Sequence, residues 1–207
     1  MDTKKEETEP SAPRFEFRIF GQNFDHFAKR MARLSVPVPE KIWERQSDEI
    51  YILSKANDNS SVKIRDGKID IKKLVNTLEG FEQWDPILKA TFPVKAELLS
   101  NTIFPAFNVN YPQPNKDDYS YEEFIDLIKT FPDLLAVNIH KQRFAYMVNN
   151  TICEVAKVLI NGAELTTMSS ESTEIEDIKK TISDVGLEGI ENVNYLKALK
   201  RVVGMVK

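Results

Sequence analysis

Cysteine, histidine and glycine are all scarce in this chain of 207 residues, and each shortage removes a class of chemistry. The one cysteine, Cys153, has no partner for an internal disulfide and excludes a Cys-rich zinc site. Two histidines, His26 and His140, are too few for a His-built centre, so any divalent metal has to be held mainly by carboxylates. Seven glycines leave no Gly-rich phosphate loop and no Walker sequence. No apolar run approaches the roughly 18 residues that a spanning helix needs, and Met1 to Pro13 is polar and charged, unlike a signal peptide. These absences predict a cytoplasmic protein with no membrane and no DNA partner. Charge of one sign is missing too: 28 basic residues stand against 32 acidic ones, for a net charge of -4, so the molecule as a whole is no generic polyanion binder. A phosphate-rich ligand would need its cations gathered in one place.

What is present is 42% hydrophobic and 10% aromatic content, enough for one well-filled core and too much for a disordered or collagen-like chain. Residues 1–13, rich in Lys, Glu, Ser and Pro, are expected to form a mobile tail ahead of a single domain, 14–207. Alternation from Phe15 to Phe20 predicts a strand with Phe15, Phe17 and Ile19 on one face and Glu16, Arg18 and Phe20 on the other. Asn23 is a candidate N-cap for a helix carrying Phe24, Phe27, Met31 and Leu34 at helical spacing. Strands follow at Ile50 to Leu53 and Val62 to Arg65, with a turn at Asn57–Asn59 between them, and Asp66-Gly67 makes a hairpin into Ile69 to Leu74. A further strand is expected near Ile87 to Phe92, then a long loop over 101–119. Ser120 and Glu123 form a capping box, as do Thr173 and Glu176. Between these helices lie strand candidates Leu134 to Ile139, Arg143 to Val148, Ile152 to Ile160 and Leu165 to Glu171, and residues 194–206 read as a last short helix. About eight strands in hairpin order with a few helices predict an α+β fold built on a closed or nearly closed eight-stranded antiparallel barrel.

A charged face on a half-buried strand is ordinarily solvated. Here several strands each carry cations on the non-apolar face: Arg18, Lys63 and Arg65, Lys72, then Lys141 and Arg143. If those faces point inward, the side chains converge, because inward positions alternate along every strand of a barrel. Glu154 lies among Ile152, Ala156 and Val158, where a carboxylate needs a cation or a metal, and a buried ion pair serves as well as a functional role. His140 ends a strand beside Lys141 as a candidate for the rim of the barrel interior, His26 reads as a surface residue and Cys153 as a packed thiol. Trp84, Tyr111 and Tyr119 are candidates for stacking on a base or for plain packing.

The ordered series Phe15-Glu16-Phe17-Arg18-Ile19-Phe20, Val62-Lys63-Ile64-Arg65, Asp70-Ile71-Lys72-Lys73, Lys141-Gln142-Arg143 with Tyr146, Glu154 and Ser170-Glu171 resembles the CYTH superfamily, the triphosphate tunnel metalloenzymes. The resemblance covers Phe15 to about Gly204. It implies an eight-stranded tunnel that grips a polyphosphate chain, with acidic residues holding Mg²⁺ or Mn²⁺, and a ligand such as inorganic triphosphate, thiamine triphosphate or a nucleotide. Carried over by position, Lys63, Arg65, Lys72 and Arg143, with Lys141 as a lesser candidate, are the phosphate contacts, Glu16, Glu154 and Glu171 the metal-side carboxylates, and Glu16 or Glu171 the group that orients an attacking water; Arg18 joins the phosphate contacts by its own chemistry, at a position where the family has a carboxylate. Glu171 is preferred to Glu174 and Glu176, which belong to a helix starting outside the tunnel.

The opening strand departs from the family's Glu-x-Glu-x-Lys pattern by reading Glu16-x-Arg18-x-Phe20. An Arg repels Mg²⁺ and instead suits a phosphate. Three functions therefore stand open: a metal-dependent triphosphatase, a non-catalytic polyphosphate- or nucleotide-binding module, and a partner-binding barrel whose charges face outward.

Overall fold

The computed structural model describes residues 12–111 and 113–205, so the tail expected at 1–13 falls outside it except for Ala12 and Pro13. Eight strands close into one antiparallel barrel: β1 (Arg14–Gly21), β2 (Glu44–Ser54), β3 (Asn57–Arg65), β4 (Lys68–Leu78), β5 (Phe81–Thr91), β8 (Leu134–Val148), β9 (Thr151–Ile160) and β10 (Ala163–Ser172). Around the barrel the order is β1-β10-β9-β8-β2-β3-β4-β5, and β1 closes it by pairing with both β10 and β5. A two-stranded ribbon, β6 (Val94–Lys95) with β7 (Asp118–Tyr119), lies apart. The helices are α1 (Asp25–Leu34), α2 (Glu40–Trp43), α3 (Ala96–Leu98), α4 (Phe104–Phe107), α5 (Tyr121–Lys129), α6 (Ile175–Val185) and α7 (Tyr195–Val202). None of the described helices is long and apolar enough to cross a membrane.

Two-residue turns set the register. The pairs Asp66-Gly67, Glu79-Gly80, Asn149-Asn150 and Asn161-Gly162 all have positive φ at both positions, the twist that joins antiparallel strands tightly. The first and last of these carry the Asp-Gly and Asn-Gly turn signature in the sequence, whereas Glu79-Gly80 and Asn149-Asn150 are turns the sequence expectation lacks. Other expectations need correction. The β2–β3 turn sits at Lys55-Ala56, and Asn57–Asn59 already belong to β3, where the Asn57 side chain donates to the Ser60 carbonyl. Leu134 to Val148 is one continuous strand, because Lys141 and Gln142 pair with Ser47 and Gln46 of β2 without a break. The segment expected as a loop over 101–119 contains a π-helical turn, Leu99–Ile103, then α4 and β7. Asn23 has φ 63 and does not cap α1, whose N-cap is Phe24. At α6 the N-cap is Glu174, with no side-chain cap from Thr173, while the Ser120–Glu123 capping box forms as predicted.

The barrel turns its apolar faces outward and its charges inward. Outward Val62, Ile64, Ile69 and Ile71 pack under Leu99, Phe104, Phe107 and Phe124 of the helical segments. On another side Phe15, Phe17, Ile19, Val155 and Met168 pack under Met31 of α1 and Ile178 of α6. Cys153 is buried in this second cluster as a packed thiol. A third cluster is internal: Leu53, Val137, Ile139, Ala156, Val158 and Ile160 meet Leu196 and Leu199 of α7, which fills one end of the barrel. Lys200 secures that plug, its Nζ donating to the Asn57 carbonyl at 2.9 Å and to Asp58 at 2.6 Å. Leu199→Ala should therefore cost about 2–5 kcal/mol, the usual result of emptying a fully buried leucine site; denaturant unfolding measures it, and a loss below about 1 kcal/mol would mean that α7 does not plug the barrel.

Candidate functional site

Strand register brings the inward charges together. Glu16 of β1 is directly opposite Glu171 of β10; the next inward residue, Arg18, is opposite Ser169, which in turn is opposite Glu154 of β9. On the far wall Glu49 of β2 is opposite Arg65, and Lys63 is opposite Asp70 of β4. A cavity of about 280 Å³ is lined by Glu16, Arg18, Lys63, Arg65, Lys72, Lys141, Arg143, Glu154 and Glu171, every site residue expected from the sequence. It shares Glu16, Asp70, Lys72, Trp84 and Glu171 with a second hollow of about 350 Å³ near Arg14 and Lys89, which forms its mouth. These cations point inward, so a barrel with its basic face outside is excluded.

Two knots of charge divide the cavity. In the first, the Arg18 guanidinium reaches three carboxylates: Nε donates to Glu16 at 2.6 Å, Nη1 lies 3.5 Å from Glu154, and Nη2 lies 3.8 Å from Glu171. Its Nη1 also donates to the Thr167 hydroxyl at 3.3 Å. The ring of Tyr195, from α7, lies 4.7 Å from the guanidinium carbon. The main chain of Arg18 is held as well, its N–H donating to the Asn192 side chain and its carbonyl accepting from Val193 N–H. In the second knot one carboxylate, Glu49, has a side chain with no exposure at all and accepts from Lys141 at 2.9 Å, Lys63 at 3.5 Å and Arg65 at 3.4 Å. Arg143 pairs with Glu154 at 3.3 Å, and Lys72 makes no salt bridge among the described residues.

The protonation states follow. Burial works against ionising Glu49, but the charges of Lys141 and Lys63 outweigh it and hold the carboxyl down at about 2. Burial lowers Lys63 to about 8 despite Glu49. Burial likewise opposes charge on Glu16, and Arg18 beside it more than compensates, so its carboxyl is lowered. Glu171 goes the other way: burial and the neighbouring Glu16 charge raise it to about 7. The Tyr195 hydroxyl is buried and has no hydrogen-bond partner within the described residues.

These carboxylates do not fit a divalent cation. Mg²⁺ needs oxygen ligands at about 2.0–2.1 Å in an octahedral shell, and the space between Glu16, Glu154 and Glu171 is taken by the guanidinium. Among the described residues no cluster of three or more Asp, Glu, His or Cys side chains is arranged to hold a metal ion.

Several participants were not singled out in the sequence. Glu49 falls one residue before the strand expected at Ile50, yet it is in period with Tyr51 and Leu53, so extending that alternation would have found it. Tyr195 and Asn194 sit on the plug helix and carried no signal. Asn194 caps α7 through Lys197 N–H and also donates to Glu82 of β5 at 2.7 Å. Of the remaining candidates, His140 faces outward and pairs with Asp48 at 2.8 Å rather than bordering the tunnel. His26 is exposed on α1, and Tyr111 and Tyr119 bond to each other in the outer packing, away from the cavity. Trp84 lines the cavity, and Glu174 and Glu176 do not.

A closed eight-stranded antiparallel tunnel with inward cations and carboxylates is the CYTH-type, or triphosphate-tunnel, fold. Solved structures share it with this chain, among them the following two. One is a Hippeastrum protein studied as a candidate adenylyl cyclase and described as having a dominant triphosphatase activity; it is 13% identical with a TM-score of 0.50, over 94% of this chain and 97% of its own. The other, a candidate adenylate cyclase from Bacillus halodurans, is 12% identical with a TM-score of 0.52, over 91% of this chain and 98% of its own. At these identities the likeness is one of fold. The sequence itself matches no protein-family model and no curated protein.

Because Glu171 is harder to ionise in the folded chain than in the unfolded one, it lowers stability as pH rises from about 4.5 to about 7. Glu171→Gln should thus gain stability over the native chain by up to about 3 kcal/mol between pH 5 and pH 8. Denaturant unfolding at both pH values checks this, and a constant difference would remove the shift. Glu49 has the opposite sign: its contribution is complete above about 4.5 and is lost as pH falls through about 2. Glu49→Ala strands three cations and should cost about 3–5 kcal/mol at neutral pH.

Proposed function

We propose that the chain binds a short oligophosphate, free or attached to a small organic group, in the plugged tunnel. The observation that carries this reading is the convergence of six cations, Arg18, Lys63, Arg65, Lys72, Lys141 and Arg143, on one small cavity in a chain whose net charge is negative. Outside that cavity the molecule has no surplus of positive charge to hold such a ligand. Inside it, the cations are distributed around the wall, as a chain of linked phosphates requires and a single carboxylate does not. Lys72, which makes no salt bridge among the described residues, is open to the ligand, and Lys63, Lys141 and Arg65 are held in place by Glu49 until phosphate oxygens share them. The plug formed by α7 makes the site one-ended, so the phosphate tail enters first and any organic group stays at the mouth beside Trp84, Pro86 and Ile87. The Hippeastrum neighbour's triphosphatase activity supports the ligand class.

Hydrolysis is the second reading, favoured by one observation: Glu171 lines the cavity directly opposite Glu16, and burial with that neighbouring charge raises its carboxyl to about 7, which suits a group that accepts a proton from water at neutral pH. Phosphate release from tripolyphosphate, thiamine triphosphate and ATP, measured from pH 5 to pH 9, should then rise to a plateau above pH 7 and disappear in Glu171→Gln. Release that is absent, or indifferent to that substitution, leaves binding alone.

Calorimetric titration with tripolyphosphate tests the binding reading. The native chain should bind it, and Lys72→Met and Lys63→Met should each weaken binding about tenfold, since a charge-assisted hydrogen bond is worth about 1.5–3 kcal/mol. No heat of binding to the native chain, or equal affinity in the Lys72 variant, would sink it.

A further inference from the structure

We infer that Arg18 occupies the place of a divalent cation, so that this tunnel takes up its anion without metal. The inference rests on the oligophosphate reading above but is decided by different groups. Three carboxylates from three strands converge on one point, and the charge at that point is a side chain of the same protein: guanidinium nitrogens lie 2.6, 3.5 and 3.8 Å from Glu16, Glu154 and Glu171. The guanidinium cannot move aside readily. Its side chain is 6% exposed, its main-chain N–H and carbonyl are both bonded to the segment leading into α7, and the Tyr195 ring lies against it, stacked in turn on Tyr51 at 5.4 Å. A dication entering beside it would meet a fixed positive charge at close range, while one displacing it would leave a buried guanidinium unpaired.

The same geometry leaves Arg18 able to act on the ligand. Nε is bonded to Glu16 and Nη1 to Thr167, but Nη2 has no hydrogen bond among the described residues, its nearest carboxylate being Glu171 at 3.8 Å. Its N–H groups remain for a phosphate oxygen in the cavity. Arg18 thereby supplies the positive charge and the directed donors, where a metal would supply charge and coordination sites. Lys141, whose Nζ is 4.0 Å from the centre of the same Tyr195 ring, belongs to the Glu49 knot, so Tyr195 of α7 touches both knots.

Two measurements test this. Free Mn²⁺ is followed by electron paramagnetic resonance during titration of the native chain, of Arg18→Gln and of Arg18→Lys, with folding checked by circular dichroism. Tripolyphosphate affinity is measured with EDTA and with excess Mg²⁺. The native chain and Arg18→Lys should bind no Mn²⁺ at micromolar concentrations, and Arg18→Gln should bind it at least tenfold more tightly than the native chain. The native chain should bind tripolyphosphate in EDTA, with affinity unchanged or lower in Mg²⁺. The inference is overturned by stoichiometric Mn²⁺ on the native chain, by folded Arg18→Gln that gains no Mn²⁺, or by tripolyphosphate binding that requires Mg²⁺. If Arg18→Gln does not fold, the native and Lys arms decide. Tripolyphosphate that binds under neither condition refutes the ligand reading, while the Mn²⁺ titrations still decide the role of Arg18.

Discussion

A single buried guanidinium ties this molecule together. Arg18 joins β1 to β9 and β10 through Glu154 and Glu171, and joins the barrel to its C-terminal plug through Asn192, Val193 and Tyr195. A charge taken this far out of water is tolerable only when its partners are close and numerous. Four elements supply them, and each is fixed relative to the others in doing so. The packing of β1 beside β9 and β10, the seating of α7 and the chemistry of the cavity all pass through this one ion cluster.

The second knot shows the same logic with the signs reversed. Glu49 is a buried anion surrounded by Lys63, Arg65 and Lys141. With the barrel's apolar faces turned outward under helices, the interior is free to be polar, but its charges must balance across the cavity as a whole, the acidic excess of the Arg18 knot offsetting the basic excess around Glu49. Six cations meet five carboxylates, counting Asp70 and the buried Glu49, so the resting cavity is nearly neutral. An oligophosphate bound as proposed would not fill an empty basic hole. It would compete with Glu49 and Glu154 for cations they already hold, which favours ligands with several linked charges over single ones.

Much of the fold was legible because barrels impose period two. Phe15, Phe17 and Ile19 against Glu16 and Arg18 set the two faces of β1 correctly, and the same alternation put Lys63, Arg65, Lys72, Lys141 and Arg143 on the non-apolar faces, which only the closed barrel shows to be the inner wall. What failed was local. Residues 99–107 form helix around Pro105 because Leu99, Ile103, Phe104 and Phe107 bury themselves on the outer face of β3 and β4, a tertiary effect that a proline-weighted reading hides. Glu49 was missed through an edge drawn one residue late, and Tyr195 because nothing in a short amphipathic helix says that it will plug a barrel. The departure at position 18 was visible in the sequence, whereas its meaning depended on Glu154 and Glu171 arriving beside it from strands more than a hundred residues away.

The central claim is that this tunnel holds phosphate against an arginine core. A crystal structure of the chain grown with tripolyphosphate and Mg²⁺ tests it most directly. The account predicts phosphate oxygens on Lys63, Arg65, Lys72 and Arg143, with Arg18 still between Glu16, Glu154 and Glu171. A Mg²⁺ ion between those three carboxylates, with Arg18 turned away, would contradict it.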